Sequence, residues 1–491
     1  MIGAGLSGLV CANRLKAMGV PVKLLEAEER AGGKFGSIER NGFVFEGGPQ
    51  SFMASPPILD LIGELGLDLQ LLKADPKAPR YVLKNKKLVP VPMSPPALLK
   101  SSLLSVGSRL KIILEALGKS HPSEEEESVA DFICRKFGVE VLDRLVAPFV
   151  SGIYAGDPDA LSLQAAFPTL HAWERDYGSV IRGAMKARKA MKERERKERE
   201  EREKAEGRGR RRDESAKGDD GKIGKRKDEA DRPTLCSFRG GMKTLTEAMH
   251  WKLADDISFG SKINSIRRVS ADPASGFEIE FQVGDWRQAV HADVIVMAAP
   301  AFVAGELLQS LSPDLAAPLD KISYAPVAVV NLGFKRTQMG ESLHGFGVLI
   351  PRKEGFRTLG TVWNSSLFPE CAPQDCALVT SFVGGATDMG IADESDEAVQ
   401  GIVEEETRRL LIIRGEPVES QVWRNFNALP QYNLGHLELT KTIRQAVRKT
   451  PGIFLAGNYL EGPSIGQCID LAERRAKTVA SYDPQNPFEV G

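Results

Sequence analysis

The sequence predicts a mixed α/β fold, in which a parallel sheet binds a dinucleotide and further α+β parts complete the chain. A glycine-rich turn opens a helix almost at the first residue, as is typical of such sheets. Continuous apolar runs at 293–298 and 452–456 suit parallel strands that are buried on both faces. Residues 95–190 have a mostly helical pattern and 325–384 are rich in strands. We therefore expect a helical part and an antiparallel sheet beside the nucleotide-binding sheet.

The glycine-rich turn is a G-x-G-x-x-G motif at residues 3–8, followed by a helix over about 9–18. Its first glycine permits a sharp turn, its second lets the backbone approach a pyrophosphate, and its third lets the helix pack against the strand. The helix N-terminus adds unpaired N–H groups and the positive end of its dipole. An apolar run at 22–25 then ends in an acid, about 20 residues after the glycines, which suits the ribose hydroxyls. The binding residues predicted from this motif are Gly3, Gly5, Ser7, Gly8 and Glu26.

Composition excludes several classes of protein. The chain has 491 residues with 65 Lys and Arg against 66 Asp and Glu, which argues against a nucleic-acid binder steered by net charge. No apolar run approaches the ~18 residues of a membrane span. The six cysteines and six histidines are dispersed and form no C-x-x-C pair, so we predict no metal site and favour a reducing compartment. The nucleotide motif begins almost at Met1, and we expect no targeting leader within this sequence.

Three further segments resemble the flavin enzymes of the amine-oxidase superfamily. Residues 30–34, Arg-Ala-Gly-Gly-Lys, resemble the second fingerprint of that superfamily, and 47–49 are compatible with its loop near the flavin. A buried strand ending in Gly-Asn at 452–458, with a helix start at 464–466, resembles the segment that returns to the flavin. The resemblance implies FAD as the cofactor. It adds the following FAD-binding residues: Ala27, Arg30, Gly32, Gly33, Lys34, Gly47, Gly48, Pro49, Gly457, Asn458, Ser464 and Ile465.

Beyond these motifs, the chain resembles the protoporphyrinogen oxidase family, most closely the mitochondrial branch of its plant-type members. The resemblance covers nearly the whole chain except a charged segment at 186–233. The stretches that carry it most specifically are 80–82 (Arg-Tyr-Val), 147–152 (Ala-Pro-Phe-Val-Ser-Gly), 156–158 (Gly-Asp-Pro), 345–351 (Gly-Phe-Gly-Val-Leu-Ile-Pro) and 382–385 (Phe-Val-Gly-Gly).

The family implies three domains, with the flavin and substrate domains arranged as in p-hydroxybenzoate hydroxylase. The expected boundaries are 1–75 with 234–305 and 436–491 for the FAD-binding domain, 76–94 with 306–435 for the substrate-binding domain, and 95–185 for a helical, membrane-associating domain. Residues 186–233 are a charged low-complexity insertion, which we predict to be helical to about residue 206 and disordered from Gly207 on. We assign this insertion no chemistry.

The amphipathic stretch 100–118 has two interpretations. Its apolar residues are bracketed by Lys100, Arg109, Lys111 and Lys119. The pattern favours a pair of core helices. The alternative is a helix that rests on a membrane through its apolar side chains, with the basic residues near the headgroups.

The reaction that the family implies is the oxidation of protoporphyrinogen IX to protoporphyrin IX. Six electrons leave in three two-electron steps to FAD, and oxygen reoxidises the flavin to give hydrogen peroxide. This is the penultimate step of haem biosynthesis and is shared with chlorophyll biosynthesis. The resemblance also implies peripheral association with the mitochondrial inner membrane or a plastid membrane, a homodimer, and a ferrochelatase-type partner.

The resemblance also implies five substrate-binding residues. Arg80 matches the arginine that pairs with a substrate propionate, and a guanidinium grips a carboxylate bidentately. Leu349, Val362 and Phe382 match apolar residues that sandwich the macrocycle, and Gly152 matches a glycine whose backbone approaches a pyrrole ring. The alternatives are an ordinary surface arginine and ordinary core packing. No side chain is assigned as general base, so the catalytic residue is unknown.

The sequence departs from the family pattern at several places. Gln50 stands where the family usually has Asn, and Ala155 replaces a glycine. Only Met1 and Ile2 precede Gly3, so we expect a shortened first strand and loosely held flavin.

The alternative functions are another flavin oxidase of the superfamily, acting on amines or polyenes, and a non-catalytic binding protein of the same fold, as in GDP-dissociation inhibitors. The intact flavin segments argue against the second.

Overall fold

The fold is given by a computed structural model, which describes residues 1–92, 94–120, 122–123, 125–210, 234–340 and 343–485. In this part of the chain the strands are β1 (Leu24–Leu25), β2 (Ser37–Arg40), β3 (Phe43–Glu46), β4 (Phe52–Met53), β5 (Leu71–Lys73), β6 (Arg80–Lys84), β7 (Lys87–Pro90), β8 (Leu235–Phe238), β9 (Ile257–Ser258), β10 (Lys262–Arg268), β11 (Phe277–Val283), β12 (Trp286–Ala292), β13 (Ile295–Met297), β14 (Tyr324–Lys335), β15 (Gly347–Leu349), β16 (Thr358–Val362), β17 (Cys376–Gly384), β18 (Glu419–Pro430) and β19 (Ile453–Leu455).

The helices of the described residues are α1 (Leu6–Ala17), α2 (Pro56–Glu64), α3 (Pro95–Lys100), α4 (Val106–Leu117), α5 (Val129–Lys136), α6 (Val139–Val141), α7 (Ala147–Tyr154), α8 (Leu163–Ala166), α9 (Pro168–Tyr177), α10 (Val180–Arg210), α11 (Lys243–Lys252), α12 (Ala301–Leu308), α13 (Pro313–Asp320), α14 (Asn364–Leu367), α15 (Asp396–Leu411), α16 (His436–Arg448) and α17 (Ile465–Ala480). The prediction of a mixed α/β fold is confirmed.

A parallel sheet assembles from widely separated segments, in the order β9, β1, Ile2, β13 and β19. Ile2 supplies the backbone between β1 and β13: its N–H donates to Val296 O at 3.0 Å, and the next N–H, of Gly3, donates to Leu25 O at 2.8 Å. Helices α1, α11 and α17 contribute buried apolar side chains to the same core. The continuous apolar runs therefore behave as predicted for strands covered on both faces.

A separate antiparallel sheet has the strand order β10, β11 and β12. Strand β10 pairs with β11, in which Phe277, Ile279 and Phe281 are buried and the residues between them are half-buried. Because alternate residues of a strand point to opposite sides, the buried residues of β11 form one apolar face. This face lies on one side of the small antiparallel sheet.

The largest sheet has seven strands in the order β18, β14, β17, β16, β15, β6 and β7. All neighbouring pairs are antiparallel except β15 and β6. The strands predicted within 325–384 are all present here. Strand β18 was not predicted, because apolar and polar residues do not alternate regularly along it. One face of this sheet packs on α15 through a buried apolar cluster that includes Val330, Val348 and Val403.

The 100–118 stretch is partly buried in the helical part between β7 and β8. Leu103, Leu104 and Ile112 are buried, which agrees with the core interpretation for these three residues. Five other apolar side chains of α4 are exposed, so the core interpretation holds for part of the stretch only. Among the described residues, no helix is both long enough and apolar enough to cross a membrane.

The charged insertion begins within α10. The predicted helix is confirmed as the latter part of one continuous helix, which runs from Val180 through Gly207 to Arg210. The predicted end of the helix at Gly207 is therefore wrong by one turn. The predicted disorder of the rest of the insertion, 211–233, lies outside the described residues, as do 486–491 at the end of the expected FAD-binding domain.

Candidate active site

The glycine-rich turn leaves open space above its second glycine. Gly3 has φ +97°, which favours glycine, and a Cβ at Gly8 would collide with the carbonyl oxygen of Gly3. A Cβ at Gly5 would meet no described atom within 4 Å. Gly5 also precedes the first turn of α1, which has no side-chain cap and no acidic residue. No side-chain cap therefore competes for the N–H groups of this turn. They lie beside a space that an anion can enter.

Glu26 lies at the end of β1, beside the glycine-rich turn. Its Oε2 accepts the N–H of Ala4 at 2.5 Å, and its Oε1 accepts the N–H of Glu28 at 2.9 Å. As a whole residue, Glu26 is 9% exposed. Each carboxylate oxygen can accept a second hydrogen bond, so the group that holds the turn can also receive ribose hydroxyls. Ala27, which follows it, is exposed.

The second fingerprint packs directly on the first. Gly32 and Gly5 form a parallel bridge, and the N–H of Gly32 donates to Ala4 O at 2.8 Å. A Cβ at Gly33 would lie 3.3 Å from the Cα of Gly5. The Arg30 guanidinium donates to Gly33 O at 2.7 Å and so closes this loop. The structure thus brings the two predicted fingerprints together.

The loop at residues 47–49 packs against β18 of the large sheet. A Cβ at Gly47 would approach the Trp423 ring to 2.7 Å. The Asn425 side chain donates to Gly47 O at 3.3 Å and accepts from Lys34 Nζ at 3.1 Å. Pro49 is half-buried in this loop. Neither β18 side chain was predicted as functional, because each reaches the loop across more than 370 residues of sequence.

The C-terminal segment is held by a tyrosine that sequence reasoning missed. Gly457 is buried and Asn458 half-buried directly after β19. The Tyr432 hydroxyl donates to Asn458 O at 2.5 Å and accepts the N–H of Gly462 at 2.6 Å. This tyrosine therefore fixes both ends of the turn that leads to Ser464.

Helix α17 starts beside the glycine-rich turn. The Ser464 side chain accepts the N–H of Gln467 and caps the helix, and half-buried Ile465 is its first residue. Ser7 is half-buried in the first turn of α1, and Leu9 of α1 packs in one apolar cluster with Cys468 and Ile469 of α17. These contacts bring the N-terminal and C-terminal predicted segments to one place.

Together these segments fit an FAD dinucleotide. The open space at Gly5 and the uncapped N-terminal turn of α1 suit the pyrophosphate, and Glu26 suits a ribose. The loops at 32–34 and 47–49 and the turn at 457–465 would surround the remainder.

The predicted apolar substrate residues share one face of the seven-stranded sheet. Residues opposite each other on neighbouring strands point to the same side, and so do residues two apart on one strand. Leu349, Gly360 and Phe382 lie opposite one another in a row that continues to Val329 and Trp423. Strands lie about 4.8 Å apart, so Trp423 stands ~10 Å from Phe382 along this row. The row therefore runs from the predicted substrate residues to the loop at 47–49.

Arg80 and Val362 lie in the next row on the same face, both opposite Gly347. The Arg80 side chain is exposed, and its guanidinium carbon lies 5.3 Å from the centroid of the Phe346 ring. Among the described residues its guanidinium makes no hydrogen bond or ion pair. An unpaired guanidinium at the end of an apolar face is suited to a carboxylate carried by a flat apolar molecule.

Helix α7 covers the same face at Leu349. A Cβ at Gly152 would lie 2.6 Å from Leu349 Cδ2, so only a glycine lets the helix approach this closely. Phe149 and Ile153, which are four residues apart on α7, are each 45% exposed. Sequence analysis predicted only Gly152 here. The spacing of Phe149 and Ile153 was a signal that these two side chains lie on one surface of the helix.

Glu46 is a buried carboxyl group that sequence reasoning missed. It precedes the loop at 47–49, accepts from Ser37 Oγ at 2.7 Å, and accepts the N–H of Met242 at 2.7 Å. Burial raises the pKa of the Glu46 carboxyl to about 8, although these hydrogen bonds and Lys243 oppose the shift. Asn331, in the row of Val362, donates its side-chain amide to Glu46 O at 3.0 Å. Glu46 therefore joins the predicted flavin loop to the substrate face.

Glu46→Gln is expected to remove a pH dependence of stability. Because the folded-state pKa is raised above 4.5, the carboxyl group binds its proton more tightly in the folded protein. Its contribution to the free energy of unfolding is present below pH ~4.5 and is lost as the pH rises through about 8. The full loss is on the order of 5 kcal/mol. Thermal unfolding at intervals from pH 5 to 8.5 should show a fall in the wild type that the variant lacks.

The control for this experiment is Glu306→Gln, at an exposed glutamate of α12. It should reproduce the wild-type pH profile. Equal slopes for Glu46→Gln and the wild type would contradict the assignment of the pH dependence to Glu46.

Two departures from the family pattern have visible contacts. Gln50 donates to Gly48 O at 3.0 Å and accepts from the Asn364 side chain at 2.8 Å, so it links the loop at 47–49 to the residues after Val362. Ala155 adopts the left-handed region, at φ 48°, where a glycine costs less. Its carbonyl accepts the N–H of Ala386 at 2.7 Å, so the strained residue is held by β17's following turn.

Comparison with known proteins identifies relatives over the whole chain. Residues 6–480 match the family model described as flavin-containing amine oxidoreductase. Protoporphyrinogen oxidase 1, chloroplastic, of Arabidopsis thaliana is 34% identical over 98% of this chain and 88% of its own length. The mitochondrial protoporphyrinogen oxidase of Nicotiana tabacum is 33% identical over 98% of this chain and 94% of its own length. A crystal structure of a putative protoporphyrinogen oxidase from Exiguobacterium has a similar fold, with TM-score 0.76 and 22% identity over 98% of this chain and 97% of its own.

Proposed function

This chain belongs to the protoporphyrinogen oxidases of the flavin-containing amine oxidoreductase family, and on this premise we propose that it oxidises protoporphyrinogen IX to protoporphyrin IX. It is an oxidoreductase with FAD as its cofactor. The observation that carries the choice of substrate is the sheet face of Leu349, Val362 and Phe382, which ends at the unpaired guanidinium of Arg80. A flat apolar macrocycle with propionate arms complements such a face.

The proposed overall reaction balances with dioxygen as the final acceptor. One protoporphyrinogen IX loses six hydrogens and three O₂ gain two each, giving protoporphyrin IX and three H₂O₂. FAD, when bound, supplies a two-electron acceptor that dioxygen regenerates.

The residues of the chain bind and orient the substrate in this proposal. Arg80 pairs with a propionate and sets the rotation of the macrocycle in its plane. Phe382, Leu349 and Val362 cover its apolar surface and exclude water. Gly152 lets the backbone of α7 approach the ring. We assign no residue as general base, and the catalytic residue stays unknown.

A steady-state assay tests this function. The protein loaded with FAD is mixed aerobically with protoporphyrinogen IX, and porphyrin fluorescence and peroxide are measured above the rate of autoxidation without enzyme. We expect equal molar amounts of dioxygen consumed and peroxide formed, in threefold excess over porphyrin. Peroxide formation with amines, and none above autoxidation with the porphyrinogen, would favour an amine oxidase instead.

The proposal includes a location on an organellar membrane. The named relatives are chloroplastic and mitochondrial, and their identities differ by one percentage point (34% and 33%), which favours neither organelle. Peripheral attachment is supported by α4, whose exposed apolar side chains lie at helical spacing. These side chains are Val106, Leu110, Ile113, Leu114 and Leu117, which we call the α4 stripe. The place in haem or chlorophyll biosynthesis, the homodimer, the ferrochelatase-type partner and the loosely held flavin stay predictions.

Leu114→Ser/Leu117→Ser is expected to lower membrane affinity at least tenfold. The two side chains are 57% and 76% exposed, so their loss should leave the fold intact. Each contributes roughly 1.5–3 kcal/mol when it is buried in lipid. Sedimentation with phosphatidylcholine vesicles measures the effect. Leu59→Ser/Leu69→Ser, at two leucines exposed elsewhere, is the matched control, and equal losses for the two double variants would contradict the assignment of the membrane face to α4.

A further inference from the structure

A basic cleft lies at the end of the α4 stripe, between the residues after α4, the end of α9 and the start of α10. Its volume is about 320 Å³. Four cationic side chains line it, and among its described lining residues one carboxylate opposes them. These five residues are Lys119, Arg175, Arg182, Lys186 and Asp176.

Among the described residues, three of the four cations, Lys119, Arg182 and Lys186, have no carboxylate partner. Arg182 donates to Tyr177 O and to Ala116 O, both at 2.8 Å, so backbone carbonyls fix its guanidinium at the wall of the cleft. Lys186 Nζ lies 4.5 Å from the centroid of the Tyr177 ring. Lys119 makes no hydrogen bond or ion pair among the described residues. Such an arrangement leaves a net positive field in a concave site.

The one opposing carboxylate is already occupied. Asp176 accepts from Arg175 Nε at 2.8 Å. Beneath the cleft two further carboxylates are buried, but Lys136 Nζ lies 3.2 Å from Glu115 and 3.0 Å from Glu174. Glu174 also pairs with the guanidinium of Arg135 at 2.8 Å. The carboxylates near the cleft therefore leave Lys119 and Lys186 free for an anion.

The position of the cleft selects the kind of anion. Arg182 binds the carbonyl of Ala116 in α4, and Lys119 lies two residues beyond Leu117, which is 76% exposed. Cations directly beside an exposed apolar stripe match a molecule with a negative headgroup and apolar chains. A soluble phosphate compound would leave the adjacent stripe without a partner.

We propose that this cleft binds the phosphate of an anionic phospholipid while the α4 stripe contacts the acyl region of the same leaflet. The inference rests on the membrane association in the proposed function and adds a headgroup site to it. It gives the protein a preference for anionic over neutral membrane surfaces.

The test compares two vesicle compositions with the full FAD-loaded chain at one ionic strength. Affinity is measured by sedimentation with phosphatidylcholine alone and with phosphatidylcholine mixed with phosphatidylglycerol. We expect the wild type to bind the mixed vesicles at least tenfold more tightly. Lys119→Gln/Lys186→Gln should lose most of this preference, since each basic residue near an anionic surface contributes about 1 kcal/mol. Its binding to phosphatidylcholine alone should be unchanged.

Arg182 is left unchanged in the test variants, because its contacts with two carbonyls give it a role in folding. Lys262→Gln/Lys449→Gln, at two lysines exposed elsewhere, removes the same charge and should retain the preference. If both double variants lose it equally, the preference comes from net charge and the cleft proposal is overturned.

Other outcomes separate the two levels of the proposal. Equal binding of the wild type to both compositions would overturn the headgroup site and leave the membrane association standing. No binding to either would overturn the membrane association together with the site, while the porphyrinogen assay decides the catalytic function independently. Binding of inorganic phosphate that the double variant loses, with unchanged vesicle preference, would assign the cleft to a soluble phosphate compound and overturn the lipid proposal.

Discussion

Replacing Gly5 with valine is expected to abolish FAD binding while the protein remains folded. The backbone of Gly5 has φ −70° and ψ −179°, which a valine adopts without strain. Its Cβ would meet no described atom within 4 Å, so the apoprotein tolerates it. The added branches fill the space through which a pyrophosphate reaches the N–H groups of α1. We expect the Kd for FAD to rise at least ~100-fold, or about 2.7 kcal/mol.

Flavin content, from visible absorbance after gel filtration, measures this effect, and circular dichroism with thermal unfolding of the apoprotein measures folding. Gly63→Val is the matched control, because Gly63 is an exposed glycine of α2 whose Cβ also meets no described atom within 4 Å. Gly8→Val should unfold the protein, since its Cβ collides with the Gly3 carbonyl. Stoichiometric FAD in purified Gly5→Val would show that the pyrophosphate lies elsewhere.

Arg80→Ala is expected to raise the KM for protoporphyrinogen IX by roughly 10–100-fold, because a charge-assisted hydrogen bond contributes ~1.5–3 kcal/mol. The exposed guanidinium has no hydrogen-bond or ion-pair partner among the described residues, so its removal should cost little stability. Arg80→Lys keeps the charge and loses the bidentate geometry. Its KM should therefore lie between those of the wild type and Arg80→Ala. Initial rates over a range of substrate concentrations measure the effect.

The substrate itself offers the sharpest control. The dimethyl ester of protoporphyrinogen IX lacks the carboxylates, so the wild type and Arg80→Ala should have equal KM values for it. This forms a double-mutant cycle between the arginine and the propionate. Arg287→Ala, at an exposed arginine of β12, should leave both substrates unaffected. A KM increase of the same size for acid and ester would indicate a general disturbance of the pocket. It would contradict the pairing of Arg80 with a propionate.

The flavin motifs could be predicted because their chemistry is local in sequence. The spacing of Gly3, Gly5 and Gly8 encodes a backbone turn, and an acid about 20 residues later follows from the length of one helix and one strand. The substrate roles of Arg80 and Leu349 followed from the resemblance. Their common face became visible only in the register of the sheet.

The missed residues act across long sequence separations. Trp423 and Asn425 reach the loop at 47–49, and Tyr432 reaches the turn at 458–462, through contacts that no spacing rule encodes. Glu46 was missed because a glutamate in a short strand carries no signal of burial. In α4 the sequence showed two faces but not which of them would find a partner, since that depends on the packing of Ile112 against other helices.

In the proposed reaction, protoporphyrinogen IX passes its electrons to FAD. This transfer is tested most directly by mixing the FAD-loaded protein with the substrate under anaerobic conditions while flavin absorbance and porphyrin fluorescence are followed together. We predict that the visible flavin band bleaches as porphyrin forms, with one porphyrin for every three flavins reduced, and that air restores the band. A flavin that stays oxidised with the porphyrinogen, in protein whose flavin dithionite reduces readily, would contradict the account.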